Sequence, residues 1–310
     1  MDNSFLPKYP AAEHKRNSWL SSLVSLLAYL LMALFFIRDS KVAAILIFIL
    51  LLHELGHYLA MRHFRYHDTG IFFIPLLGAF VSGSKRTLSQ QESATIIMAG
   101  PLPGILLGIL LVLLTRNASL DLSTLSLLNW TGMALILLNG FNLLPIYPLD
   151  GGQLLNRVFL DEESRLSRFF VLLSALLLTW LAFRLTFYAL LLFPLLILWR
   201  TRKDKTLKKI EQRVAEAGIN TDVDYEQLPD EDYWKIRTIL IEVHPRFSSL
   251  NPAIQEYDAK EASVQSMIAS LLDQRLILDL SLTQKIMIAT VWIASLLFTA
   301  LFGLLSWKDL

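Results

Sequence analysis

His53, Glu54 and His57 lie in the run His-Glu-Leu-Gly-His, a match to H-E-x-x-H. On a helix, positions i and i+4 share a face, so both imidazoles can reach one ion. Glu54 falls on the adjoining flank, where it can touch a water on that ion rather than the ion itself. Zinc lowers the pKa of such a water toward neutrality, and a carboxylate beside it can take the proton. These are the ingredients of peptide-bond hydrolysis by a metalloprotease. The chain has no cysteine, which excludes disulfides, iron–sulfur clusters and thiolate zinc sites. A metal must therefore sit on histidine and carboxylate.

Three fixed residues in five positions recur by chance, so the setting decides. The motif interrupts an otherwise apolar block at 42–61. Ionisable groups inside such a span cost roughly 2.5–3.5 kcal/mol each on insertion scales, less near the interface. Three of them call for a shared purpose, and a metal supplies one; a purely structural polar cluster is the alternative. A catalytic zinc takes three protein ligands and keeps one position open. The best source for the third ligand is Asn142-Leu143-Leu144-Pro145-Ile146-Tyr147-Pro148-Leu149-Asp150-Gly151-Gly152. Its prolines stop a helix and its glycines allow close backbone approach. Asp150 can be that ligand, or it can cap a following helix at 151–159. His63 and His67 share the i, i+4 spacing but have no acid beside them. With Arg62 and Arg65 nearby, they read as interfacial residues rather than a second metal site.

The composition describes what must position these groups. Hydrophobic residues make up 54% of the 310 residues and charged residues 18%, with a mean hydropathy of +0.50. Soluble domains are about a quarter charged. These figures argue against a soluble globular enzyme, a disordered chain and a nucleic-acid binder. The 28 Lys+Arg nearly balance 27 Asp+Glu, so net charge names no anionic partner. Apolar blocks occupy 19–37, 42–61, 94–114, 125–144, 169–199 and 286–307. About 20 apolar residues cross a bilayer core. The first block is longer than a signal-peptide core and lacks a small-residue cleavage site, so it reads as a retained span. Arg184 divides 169–199 into two halves, which predicts a hairpin of two short spans; one long tilted helix is the alternative. Eleven of 13 glycines and five of 11 prolines fall between 56 and 152. Broken backbone at membrane depth is tolerated where protein or a wet cavity meets it. An irregular functional core is thus expected at about residues 50–155. The segment 71–83 is too short to cross and reads as a re-entrant or extended hairpin.

The expected fold class is an all-α polytopic membrane protein, with about six to seven transmembrane helices, a short re-entrant or β segment and a small soluble helical region. The expected divisions are a cytoplasmic segment 1–18, a membrane core 19–199, a soluble region 200–285 and a final transmembrane helix 286–310. Lys and Arg set the orientation. Inside segments would hold Lys8, Lys15 and Arg16, then Arg62, Arg65, Lys85 and Arg86, then Arg157, Arg165 and Arg168, then the basic run opening at Arg200. Outside connections would hold Arg38 and Lys41, Arg116, and Arg184. His53, His57 and Asp150 then lie at similar depth on the cytoplasmic side. In the soluble region, Leu207, Ile210 and Val214, and again Val264, Met267, Ile268 and Leu271, have helical spacing. The six acids between 222 and 232 read as a solvated loop, with Tyr225, Tyr233 and Trp234 as packing residues.

Together the two motifs resemble the site-2 protease family of intramembrane zinc metalloproteases, peptidase family M50. His53, Glu54 and His57 match its first motif; Asn142, Pro145, Asp150 and Gly151 match its N-x-x-P-x-x-x-x-D-G stretch. Met98-Ala99-Gly100-Pro101 is similar to its A-G-P segment, and Gly78-Ala79-Phe80-Val81 to its loop beside the substrate strand. The resemblance covers roughly residues 40 to 160, and the paired motifs in this order are highly specific. It implies one Zn2+ per chain held by His53, His57 and Asp150, with Glu54 activating water. It gives Asn142, or Asn139 instead, a role in orienting substrate or holding the oxyanion; hydrogen bonding within a broken helix end is the other role open to Asn142. It implies a membrane-anchored protein substrate, cleaved within or beside its transmembrane segment, and a place in the bacterial inner membrane. No PDZ insertion or CBS pair is evident. The rival functions are an ion transporter or channel and a non-catalytic zinc-binding scaffold.

Overall fold

The computed structural model describes residues 5–10, 18–74, 78–85, 87–117, 120–160, 164–251, 257–272 and 275–306. Lys15, Arg16, Pro75 and Arg86, all used in the sequence reading, lie outside those residues. The chain divides into two compact units. One holds 16–84, 88–194 and 277–310; the other holds 1–15, 85–87 and 195–276.

The first unit is a set of apolar helices around one short hairpin. Its elements are α1 (Ser18–Phe36), α2 (Ser40–His63), β1 (His67–Ile74), β2 (Gly78–Ser84), β3 (Thr87–Ser89), α3 (Gln90–Ala99), α4 (Pro101–Asn117), α5 (Leu122–Asn142), α6 (Asp150–Leu154), a π turn (Leu155–Phe159) and α7 (Arg165–Arg184). A last helix, Leu282–Ser306, returns to this unit from the far end of the chain. Polar residues start the helices where backbone N–H groups would otherwise lack partners. Asp39 accepts from Lys41 and Val42 at the start of α2, Asp121 from Thr124 at α5, and Ser164 from Ser167 at α7.

Among the described residues, six helices are long and apolar enough to cross a membrane: Trp19–Phe36, Ser40–His63, Gln90–Arg116, Leu122–Asn142, Arg165–Arg184 and Leu282–Leu304. Their outward faces carry Phe35, Leu176 and Leu301 at 81%, 67% and 60% exposure. Bands of this kind have no counterpart on a monomeric soluble protein and suit contact with lipid. The chain is an integral membrane protein of mainly α-helical, polytopic class. The third block is two helices in line, broken between Ala99 and Pro101. The block at 169–199 breaks after Arg184 as expected, where Phe187 N donates to Ala182 O at 3.0 Å. The halves are unequal. Ser164 caps α7, which begins at Arg165, four residues upstream of the apolar run, giving a full-length span. The apolar helix after the break, Tyr188–Trp199, is shorter. The final helix begins at Leu282 rather than 286. There Gln284 N donates to Ser281 Oγ at 3.3 Å, and Ser281 N to Gln284 Oε1 at 2.9 Å, a reciprocal capping box.

The expected extended segment is an antiparallel hairpin pairing Phe72 with Phe80 and Ile71 with Val81. β-Branched and aromatic residues suit this pleated surface. Helix α1 lies along β1: Phe73 N donates to Ser25 Oγ at 3.2 Å, and the Tyr29 and Phe73 rings stand 5.9 Å apart.

The second unit contains most of α8 (Leu192–Glu216), then α9 (Asp230–Val243), α10 (Glu261–Leu272) and most of β4 (Arg275–Ile277). Its core is continuous, with Ile210, Val214, Tyr233, Trp234, Leu240, Phe247, Val264 and Ile268 buried. Each such side chain contributes about 1.5–3 kcal/mol on leaving water. Of the helically spaced residues read from the sequence, Ile210, Val214, Val264 and Ile268 are buried in this core, and Met267 and Leu271 pack against it. The acid run is not one loop. Tyr225–Gln227 is a single 3-10 turn, and Asp230, Glu231 and Asp232 form the first turn of α9. Acids are favoured there by the unpaired N–H groups of a helix start.

Candidate metal centre

α2 presents His53 and His57 one turn apart on a single face. The turn after α5 brings Asp150 to them, at the first residue of α6. Sharp reversal is required between Leu143 and Asp150, and Gly151 permits it: a Cβ there would stand 1.9 Å from Leu143 O. The turn is pinned from the last helix, where Trp292 Nε1 donates to Leu143 O at 2.8 Å. Asp150 is not a cap. The capping position falls on Leu149, which makes no side-chain bond.

The three ligand atoms converge. His53 Nε2 lies 3.0 Å from Asp150 Oδ2, His57 Nε2 lies 3.4 Å from the same oxygen, and the two Nε2 atoms are 3.1 Å apart. Among the described residues, this is the one group of three or more His, Asp or Glu close enough to share an ion.

The far side of each ring shows what the near side lacks. His53 Nδ1 stands 2.8 Å from Asn139 Oδ1. Asn139 Nδ2 donates to Leu135 O at 2.8 Å, which fixes the amide so that Oδ1 faces the ring. His57 Nδ1 stands 2.7 Å from the Ile96 carbonyl, which can only accept. Each ring therefore carries its proton on Nδ1, a tautomer assigned from these partners. Both Nε2 atoms then face one another and a carboxylate oxygen at about hydrogen-bond distance, where all three can bind one cation. Asp150 Oδ2 accordingly has no hydrogen-bond partner, nor does the buried Oε2 of Glu54. Atoms packed this closely and short of hydrogen-bond partners are suited to share one cation, because buried polar atoms without partners are costly. Two imidazoles and one carboxylate, with outer hydrogen bonds holding the rings, are a donor set that fits catalytic zinc.

The A-G-P segment has a mechanical role here. α3 passes so near α2 that a Cβ on Gly100 would stand 2.3 Å from His57 Nε2. A side chain there would collide with the His57 ring. Glu54 is 4% exposed and sits beside the cluster on the same helix as the histidines. Asn142 is not among the residues assembled; its Nδ2 donates to Leu138 O at 3.3 Å within its own helix end. Asn139, read from the sequence as an alternative to Asn142, is instead the partner of His53. The Ile96 carbonyl left no sequence signal, since any residue supplies one. His63 ends α2 and His67 opens β1, so their spacing does not put them on one helical face; both are exposed.

Comparison with known proteins agrees with this reading. Residues 41–120 match the model of peptidase family M50. The chain is 29% identical over 115 residues to a zinc metalloprotease of Methanocaldococcus jannaschii, covering 37% of this chain and 33% of that protein. It is 31% identical over 119 residues to the stage IV sporulation protein FB of Bacillus subtilis, covering 38% of this chain and 40% of that protein. The chain thus spans well under half the length of these curated relatives. Among solved structures, the site-2 protease from Methanocaldococcus jannaschii aligns with a TM-score of 0.40 at 21% identity, over 57% of this chain and 84% of that one.

Proposed function

We propose, from the premise that residues 41–120 are a peptidase family M50 segment, that this chain is an intramembrane zinc metalloprotease. It would hydrolyse peptide bonds within or beside the transmembrane segments of membrane-anchored proteins. The observation that carries the reading is the meeting of His53 Nε2, His57 Nε2 and Asp150 Oδ2 at 3.0–3.4 Å, with the buried, unpartnered Oε2 of Glu54 on the same helix as the histidines, on helices long enough to span a bilayer. His53, His57 and Asp150 would hold the metal. Zinc bound there supplies Lewis acidity to a water and to the scissile carbonyl. Glu54 takes the water's proton and returns it to the leaving amine. Asn139 and Ile96 hold the two rings in the tautomer that leaves each Nε2 free to bind.

A transmembrane helix hides its carbonyls in its own hydrogen bonds, so the substrate must unwind locally. Ser25 of α1 occupies the edge of β1, and β2 has β1 as its sole partner strand among the described residues. An unwound substrate strand would add to the outer edge of β2, gaining main-chain hydrogen bonds as it passes the site. The Lys and Arg distribution supports a site facing the cytoplasm, in a bacterial inner membrane. Asn142 keeps a substrate-orienting role in this proposal, released from Leu138 when substrate arrives. The test is Glu54→Gln. Detergent-purified variant protein should retain one zinc per chain and lose cleavage, and substrates should accumulate on it in cells. Normal turnover by that variant would remove Glu54 from the mechanism.

A further inference from the structure

The unit built from α8, α9 and α10 holds an extended stretch of its own chain. Residues Phe5-Leu6-Pro7-Lys8-Tyr9-Pro10 lie on it, with Phe5, Leu6 and Tyr9 against its core. Pro7 and Pro10 fix their own φ, and each pushes the residue before it toward extended backbone. Four of the six residues are thereby straightened before any contact forms.

The contacts read the backbone of this stretch. Trp234 Nε1 donates to Leu6 O at 2.6 Å, the Tyr257 hydroxyl to Pro7 O, and the Tyr225 hydroxyl to Tyr9 O at 2.6 Å. Asp230 Oδ1 accepts from Lys8 N at 2.9 Å. Lys8 Nζ donates to the carbonyls of Glu226 and Leu228 at 2.7 and 2.6 Å, and stands 5.7 Å from the Tyr225 ring centre. The rings also pack: Tyr9 meets Tyr257 edge-on at 5.3 Å, and Tyr257 stacks on Trp234 at 6.0 Å. Burial, with the Glu261 carboxylate second, pushes the Tyr225 hydroxyl above its usual range, so it remains a donor at physiological pH.

Aromatic N–H and O–H groups aimed at the carbonyls of a proline-bearing segment are a recognised mode of peptide capture. We propose that residues 195–276 form a peptide-recognition domain for an extended segment of pattern aliphatic-Pro-Lys-aromatic on a partner protein. Leu6–Tyr9 is then the cis occupant of that groove, which the partner's segment displaces. This function is independent of the metal centre. A tethered occupant competes at about millimolar effective concentration, so the groove opens to partners when the tethered segment is weakened.

The test uses the full chain in detergent, the same chain lacking residues 1–10, and a full chain carrying Lys8→Glu with Tyr9→Ala. The probe is a fluorescent peptide Phe-Leu-Pro-Lys-Tyr-Pro, read by anisotropy, with hydrogen exchange of α9 and α10 amides reporting folding. Both altered chains should bind the peptide saturably, at least tenfold tighter than the unaltered chain. A peptide with Glu in place of Lys should not bind. Tyr257→Phe in the shortened chain should weaken binding severalfold while amide protection is unchanged. Absence of binding by an altered chain whose α9 amides stay protected would overturn the proposal. So would equal binding by all three chains. If light scattering shows the unaltered chain dimerising by exchange of residues 5–10, the occupant is a second copy and the partner reading fails. Should the shortened chain lose α9 protection, the substituted full chain decides between these outcomes.

Discussion

Each unit buries a cluster of charged and polar groups, and the two are finished differently. In the second unit, Arg237 is 1% exposed and Glu261 0%. Arg237 Nε donates to both Glu261 oxygens at 2.9 and 3.2 Å, its Nη1 to Asn251 O at 3.0 Å, and Tyr233 Oη to Glu261 Oε1 at 2.5 Å. Only Nη2 lacks a hydrogen-bond partner, and the guanidinium lies over the Trp234 ring, 5.0 Å from its centre. Positive and negative charge are matched inside the protein, so this cluster needs nothing from outside. In the first unit, His53, His57 and Asp150 turn three electron-pair donors to one point, and the buried Oδ2 of Asp150 has no hydrogen-bond partner. Burial of ionisable groups is thus common to both; what separates a structural cluster from a functional one is whether its partners are already present.

That distinction predicts different failures. Removing one donor from the open cluster, by Asp150→Ala or His57→Ala, should bring zinc from one per chain to background and abolish cleavage, as read by elemental analysis of purified protein. The spans should remain helical by circular dichroism. Zinc retained at full stoichiometry in both variants would show that the cluster is structural after all. Removing one partner from the closed cluster, by Arg237→Met, should instead destabilise the unit by about 3–5 kcal/mol, because Glu261 is left charged and buried. Replacing Glu261 with Leu as well should recover most of that loss, measured by denaturant unfolding. The zinc content of the folded fraction should not change. Asn139→Leu comes next in size. It leaves every ligand in place but frees the His53 ring, and should weaken zinc about 10–100-fold, as outer hydrogen-bond partners of metal ligands do. Competition with a chelator of known affinity reads this directly.

Much of the membrane unit was legible because it obeys a coarse rule. Apolar blocks long enough to cross a bilayer became helices, and the polar exceptions inside them became the site. The pairing of His53 and His57 on one face could be read from i, i+4 spacing alone. The closeness of Asp150 could not. It depends on a turn across 143–150 whose reversal Gly151 allows; the sequence offered Asp150 only as a ligand at similar depth or as a helix cap, and the resemblance favoured the ligand. The role of Asn139 was hidden for a related reason, since its partner lies 86 positions away. Helix limits set by caps, such as Ser164 and the Ser281–Gln284 pair, lay outside the apolar runs, so the hydropathy boundaries missed them by a few residues. In the second unit, spacing revealed the core-facing residues. It could not reveal that Lys8 and its neighbours lie on Trp234, because an extended stretch has no periodicity to betray its partner.

The smallest effect tests a satisfied contact near the open cluster. Asp279 accepts from Ser89 Oγ at 2.5 Å and from Gln91 N at 3.2 Å, at the start of α3. Partial burial pushes its carboxyl up, but the bonds from Ser89 and the backbone win, and the group is held below the ordinary carboxylate range. A lowered folded value means that its stabilisation is fully present above the unfolded pKa of about 3.9. It is lost as pH falls through the folded value. A carboxylate at a helix start contributes about 0.3–1 kcal/mol, so the change in local opening should stay under tenfold. Amide exchange at Gln91 and Glu92, corrected for intrinsic rates, should therefore rise modestly from pH 5 down to pH 3 in the native chain. In Asp279→Asn it should already be raised at pH 5 and stay level, because that side chain cannot titrate. Since α3 also carries the Ile96 carbonyl that orients His57, exchange at Ile96 should stay unchanged if the opening is confined to the first turn. A parallel rise at Ile96 would mean that the whole of α3 loosens together, and that the satisfied contact at its start helps to hold the unsatisfied cluster in shape.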